Sequence, residues 1–340
     1  MELLILLPII LLVIETLMNG DASKPIWNGV IVLYILGLTY AYGSRCVGCA
    51  VYDDYANVYV KQGQFLRDNG FDGFFSLKTV TTEYFFYTIF WIIANLVKEV
   101  YWLWALSFVS LMFLYLGLRH VAKKQEIVAI LTFASIGLST QLVRQYMAWS
   151  MLLYLIVLVK NKNRVWMFLP AIFVHHSAVI FLIKYVASRF FSWRKWFILF
   201  VGIYLIKDIF IDYFLSIDHY SIRFLTSSSL EKDILDYNML FVHRVVILAV
   251  FAILFPRYRS YVVLSSGLFI LLLSMPLLPV RLNLLLLSHC YGIIFVALMR
   301  VLRLQKIKLI YIALLAALTF RTLYLQTGDF ALWKTYNTII

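Results

Sequence analysis

The sequence predicts an all-α, polytopic membrane protein, and three observations carry that prediction. Apolar runs near the roughly 20 residues that a bilayer-crossing helix needs recur from end to end. Hydrophobic residues make up 63% of the chain and charged ones 14%, more apolar surface than a soluble domain hides. The Lys and Arg residues are gathered into short stretches between the runs. No stretch is left over for a separate soluble domain, so residues 1–340 read as a single integral membrane domain.

The first apolar run is Leu3 to Leu17. Its flank, Glu2, is acidic and no small-residue cleavage site follows, so it reads as a retained helix and not a cleaved signal peptide. Ile26 to Tyr42 forms the second run. A comparatively acidic loop over about 43–82 follows, carrying Asp53, Asp54, Asp68 and Asp72. Tyr84 to Val97, Trp102 to Leu118, Ile127 to Leu138, Gln145 to Val159 and Val165 to Ala187 come next, then Trp196 to Phe214. A second acidic loop, about 208–238, carries Asp212, Asp218, Glu231, Asp233 and Asp236. The last runs are Leu240 to Phe255, Tyr261 to Leu278, Leu282 to Met299 and Leu309 to Leu325. Together they predict about 10–12 transmembrane or re-entrant helices.

The formal charge of +13 is topological. Much of it lies in Arg119 to Lys124, Lys160 to Arg164, Arg189 to Lys195, Arg257 to Arg259 and Arg300 to Lys308, none of which holds an Asp or Glu. By the positive-inside rule all of these are cytoplasmic and the two acidic loops lie outside. A nucleic-acid partner is not expected, because no basic face interleaved with stacking aromatics is present. With these loops inside, the chain leaves and returns between Lys124 and Lys160, which puts Arg144 at an outer turn. It leaves and returns again between Arg164 and Arg189, about 24 residues, too few for two full crossings. A broken hairpin is predicted there, with Pro170 early and His175-His176 at its tip, lining a cavity open to the outside. Tyr84 to Val97 does not fit the parity as a simple crossing and is read as re-entrant or interfacial.

Basic and carboxylate groups therefore converge on the outer face: Arg45, Asp53 and Asp54 in the first loop, Arg144 at a helix start, His176 at the hairpin tip, and Arg281 after Pro276 and Pro279. Ionisable groups in membrane-length apolar sequence are costly unless they face a cavity or a partner, which makes Arg144 and His176 site candidates. Arginines suit a diphosphate, since the guanidinium donates bidentate bonds and stays charged. The carboxylates and imidazole are candidate bases for a hydroxyl. Each also has a plainer account: arginines snorkelling to headgroups, a satisfied core histidine, solvated aspartates. Glu83 reads first as a helix N-terminal charge favoured by the macrodipole. Trp91, Trp102 and Trp104 read as interface anchors ahead of sugar-stacking surfaces.

No metal is expected, because no dense ligand spacing accompanies Asp53, Asp54, His175 and His176. Cys46 and Cys49 are spaced CxxC and Cys290 is alone, with no second pair to complete a zinc site. The pair is either a local disulfide in an extracytoplasmic loop or two free small residues.

Arg144-Gln145-Tyr146-Met147-Ala148, the basic turn Lys160 to Arg164, and Phe173-Val174-His175-His176-Ser177-Ala178 resemble the Arg-Gln to His-Ser-Ala signature of the EpsG-like, Wzy-type polysaccharide polymerases. Arg45, Gly48, Asp53-Asp54-Tyr55, Tyr59 and Glu83-Tyr84 resemble that family's first outer loop, and Arg281-Leu282 its late arginine. The sequence departs in an extra histidine, His175, and an extra aspartate; His176, directly before Ser-Ala, is taken as the motif histidine.

The resemblance implies a fold like a C-class glycosyltransferase without a soluble domain, set in the bacterial cytoplasmic (inner) membrane with its site facing outward. It implies an enzyme that joins polyprenyl-diphosphate-linked oligosaccharide repeat units into a surface polysaccharide, O-antigen first among these, without a cofactor. The lipid-linked oligosaccharide, the bilayer and a chain-length regulator are the partners it implies. Arg144, Arg281 and Arg45 would bind the diphosphate; His176, Asp53 or Asp54 would serve the acceptor hydroxyl. An O-antigen ligase or other lipid-linked sugar transferase shares outer-face arginines, and a flippase would handle the same substrates. A flippase, however, expects charges at mid-membrane and repeated halves. A membrane O-acyltransferase would need its histidine to meet an acyl donor from the cytoplasm.

Overall fold

The computed structural model describes residues 2–18, 22–43, 59–76, 83–139, 143–158, 165–175, 178–179 and 192–206, with single positions 209 and 317. Two compact units divide the chain: Met1–Leu182 with Phe295–Ile340, and Ile183–Ile294. The described residues are helical and contain no strand.

In the first unit the helices are α1 (Glu2–Leu17), α2 (Lys24–Gly43), α3 (Lys61–Ser76), α4 (Tyr84–Leu96), α5 (Trp102–Leu118), α6 (Lys124–Ser139), α7 (Val143–Leu158) and α8 (Leu169–Val174). The second unit contributes α9 (Trp193–Leu205). Predicted runs and helix ends agree within a few residues for α1, α2 and α4 to α7. Apart from the single positions 209 and 317, the runs from Leu240 onward and the loop 208–238 lie outside the described residues.

Two predicted features are corrected. Within the segment read as a loop over 43–82, α3 forms, bending at Gly70, whose φ of 63° is open to glycine at little cost. Its sequence, KQGQFLRDNGFDGFFS, is polar on average and forms no apolar run, and tertiary packing supplies what propensity lacks. The key contact is Gly63, where a Cβ would stand 2.4 Å from Trp102 Cζ3. Trp102, read as an interface anchor, is instead wholly buried in that contact, its ring edge-on to Phe90 at 5.6 Å.

Helix α4 buries Phe86, Tyr87, Phe90, Ile93 and Ala94, a single stripe at helical spacing, and exposes Tyr84, Phe85, Ile92 and Leu96. At 13 residues it spans roughly 20 Å, short of the ~30 Å hydrocarbon core. It stops because Val97 and Lys98 are both extended, after which one turn, Glu99–Tyr101, leads into α5. The continuous stretch Glu99–Leu118, 20 residues, is long and apolar enough to cross a bilayer. The apolar segment Leu4–Glu15 is shorter.

Close helix packing uses small residues. A Cβ on Gly117 of α5 would lie 3.2 Å from the Tyr154 backbone of α7, and one on Gly37 of α2 would lie 3.0 Å from Leu4 and Ile5 of α1. Ser107 and Ser110 on α5 and Ser150 on α7 are buried. Small side chains let helix backbones approach where packing, rather than expulsion of water, holds helices together. Helices α2 and α6 are joined by the Tyr34 and Thr132 hydroxyls, 2.5 Å apart and buried.

Two polar clusters then mark the two ends of this bundle. At one, Glu15 Oε1 accepts from Ala22 N at 2.6 Å, Trp27 Nε1 at 2.6 Å and Lys124 Nζ at 3.0 Å, tying α1, α2 and α6 together. Tyr115, near the end of α5, donates to Asn28 Oδ1 at 2.7 Å beside it. The other cluster gathers at the start of α7. Gly117 meets Tyr154 near the ends of α5 and α7, so these two helices run side by side away from that second cluster.

Candidate functional site

The second cluster is assembled from four separated pieces of sequence. Arg144 stands in the first turn of α7, Glu83 immediately precedes α4, Tyr59 leads into α3, and His175 follows α8. Pro170 sits in the first turn of α8, where a missing N–H costs nothing, and the helix ends after six residues as His175 turns extended (φ −163°, ψ 137°). The break expected at the histidine pair is therefore present at His175. Ala178 N donates back to His175 O at 3.0 Å.

Arg144 is the hub. Its Nη1 donates to Glu83 Oε2 at 2.7 Å, a short charge-assisted bond, and its Nε donates to the Tyr59 hydroxyl at 3.1 Å. The guanidinium carbon lies 5.5 Å from the Tyr59 ring centre and 6.0 Å from that of Phe86, within cation–π range. Tyr59 is itself fixed edge-on against Phe86 at 6.0 Å and Phe90 at 6.3 Å. Next to it, Tyr87 donates to Gln62 Oε1 at 3.0 Å. These contacts leave Nη2 without a partner among the described residues, while 28% of the Arg144 side chain remains exposed.

Glu83 divides its two oxygens. Oε2 takes Arg144, and Oε1 lies 3.5 Å from His175 Nε2, an ion pair when the imidazole is protonated. The carboxylate makes no cap bond to α4, although it stands at that helix's N-terminus. Glu83 does stand at the N-terminus of α4, as expected, and its side chain in addition pairs with a cation 61 residues away. The signal for this was present, since a guanidinium entering an apolar helix needs a counter-ion.

Of the expected site residues, Arg144 stands in this cluster. Arg45, Asp53, Asp54, His176 and Arg281 lie outside the described residues, so the cluster as described comprises Arg144 with Glu83, Tyr59 and His175. Among the described residues no group of three or more His, Cys, Asp and Glu side chains converges as metal ligands would. Chemically, the cluster presents a fixed guanidinium with one nitrogen unpartnered among the described residues, beside a carboxylate and imidazole able to accept a proton.

The model of the EpsG family matches residues 26–338, nearly the whole chain. No curated protein and no solved structure matches it.

Proposed function

The chain belongs to the EpsG family, and from that premise we propose that it polymerises polyprenyl-diphosphate-linked oligosaccharide repeat units into a surface polysaccharide, O-antigen foremost. Membership supports the coarse function, a membrane polysaccharide polymerase of glycosyltransferase type. The single observation that carries the finer reading is the Arg144 guanidinium, braced by Tyr59 and Glu83 and with Nη2 unpartnered among the described residues. A diphosphate leaving group needs such a donor, held where negative charge develops.

In this reading the protein is multi-pass in the bacterial inner membrane, with the basic stretches in the cytoplasm and the Arg144 end facing outward. Arg144, with Arg281 and Arg45, neutralises the departing lipid diphosphate. His176, Asp53 or Asp54 orients or deprotonates the terminal sugar hydroxyl of the incoming unit. A chain-length regulator is a proposed partner.

The test is a gel of surface polysaccharide from a deletion strain complemented with wild type, Arg144→Ala or His176→Ala. The expected result is collapse of the ladder to a core-plus-one-unit band, restored by wild type and by neither variant, with each variant still in the membrane. Loss of every repeat unit would point to a ligase or flippase; an untouched ladder would sink the polymerase reading.

A further inference from the structure

Resting on the polymerase reading, we propose that Glu83 holds Arg144 in the place of the substrate diphosphate, and that donor binding frees this carboxylate to take the acceptor's proton. Glu83 then belongs to the reaction in addition to Arg144.

The way Glu83 divides its oxygens is what makes an exchange workable. The guanidinium uses only Oε2, at 2.7 Å, while His175 stands by Oε1 at 3.5 Å. Breaking the first contact therefore leaves the second to keep the carboxylate in place. On the other side, Nε stays bonded to the Tyr59 hydroxyl, and the Tyr59 and Phe86 rings flank the cation. The guanidinium can thus change its Nη1 partner without losing its position. Nη2, unpartnered among the described residues, is where an incoming phosphate oxygen first meets the arginine. Both anions suit the same donor fork, and the diphosphate brings more charge and more acceptor oxygens than one carboxylate.

Once displaced, Oε2 has lone pairs to offer. The acceptor hydroxyl oxygen attacks the donor's anomeric carbon as its proton passes to Glu83. A C–O bond to the acceptor forms, the anomeric C–O bond to phosphate breaks, and that electron pair leaves on the lipid diphosphate beside Arg144. Glu83 returns the proton to water and pairs with Arg144 again as the diphosphate departs. The carboxylate is thereby held back from acceptor chemistry until a donor is bound, which protects against unproductive proton transfer.

The full chain, purified in detergent, is assayed for binding of polyprenyl diphosphate and for elongation of a lipid-linked repeat unit. Glu83→Gln should bind polyprenyl diphosphate about two- to fivefold tighter, the worth of a partly exposed ion pair. Its elongation rate should fall about 10²- to 10⁴-fold, as for loss of a general base. His175→Ala should slow elongation while leaving diphosphate affinity as in wild type, and it carries the test if Glu83→Gln does not accumulate. Loss of affinity together with elongation, in either variant, would overturn the exchange and leave Glu83 a prop for Arg144. Wild-type elongation by Glu83→Gln would also overturn it while sparing the polymerase reading. That reading falls if wild type itself neither binds polyprenyl diphosphate nor elongates.

Discussion

Arg144 makes four contacts from one planar group: a tyrosine hydroxyl through Nε, a carboxylate through Nη1, and two aromatic faces. Lysine, a point charge on a flexible stem, reproduces the charge but not this fork. Arg144→Lys should therefore insert normally and keep a cation near Glu83, yet support elongation at least about tenfold more slowly, the shortfall of one charge-assisted bond. Full-length ladders from Arg144→Lys would show that charge alone suffices. Arg144 was legible in the sequence because a cation in an apolar helix stands out by itself. Glu83 was not, because an acid before an apolar run has a sufficient local explanation in the helix dipole, and its true partners come from other helices. Tyr59 lay between these cases: its position was noticed in the family-like first loop, but only the fold shows its hydroxyl on the arginine.

Helices α1, α2, α4, α5, α6 and α7 were visible as apolar runs, since burial in lipid and burial in protein both ask for the same residues. What composition does not reveal is how closely two such helices stand. Gly117 shows it for α5 and α7: a Cβ there would already press the Tyr154 backbone at 3.2 Å, and backbone has no rotamer to move aside. Gly117→Leu should cost about 1–3 kcal/mol by overpacking, read as earlier thermal aggregation of the detergent-solubilised protein. Gly117→Ala should fall between it and wild type. Gly29, with nothing within 4 Å of its Cβ position, is the control: Gly29→Ala should be neutral or slightly stabilising. Equal stability of all three variants would mean that α5 and α7 are not held at this separation. Helix α3 was missed for the converse reason. Its glycines and charges leave it polar on average, with no apolar run to mark it, and Gly63 is needed only because Trp102 arrives from another helix.

Across the first unit the two polar clusters divide the work between ends. The Glu15 and Lys124 end ties three helices together and is continuous with the basic stretch Arg119 to Lys124, whereas the Arg144 end carries the guanidinium paired with Glu83. A basic stretch that stays cytoplasmic fixes the orientation of everything threaded to it, so an enzyme working on an extracytoplasmic substrate must place its anion site at the far end. Sidedness can be measured without any activity. In a chain whose Cys46, Cys49 and Cys290 are replaced by Ser, Tyr84→Cys, beside Glu83 and exposed, should react with a membrane-impermeant maleimide in intact spheroplasts. Lys123→Cys, exposed at the other end, should react only after permeabilisation. Labelling of both from one side would mean that the clusters do not face opposite compartments. The reverse pattern would put Arg144 in the cytoplasm, away from lipid-linked sugars already flipped outward, and would remove the polymerase proposal along with the Glu83 exchange built on it.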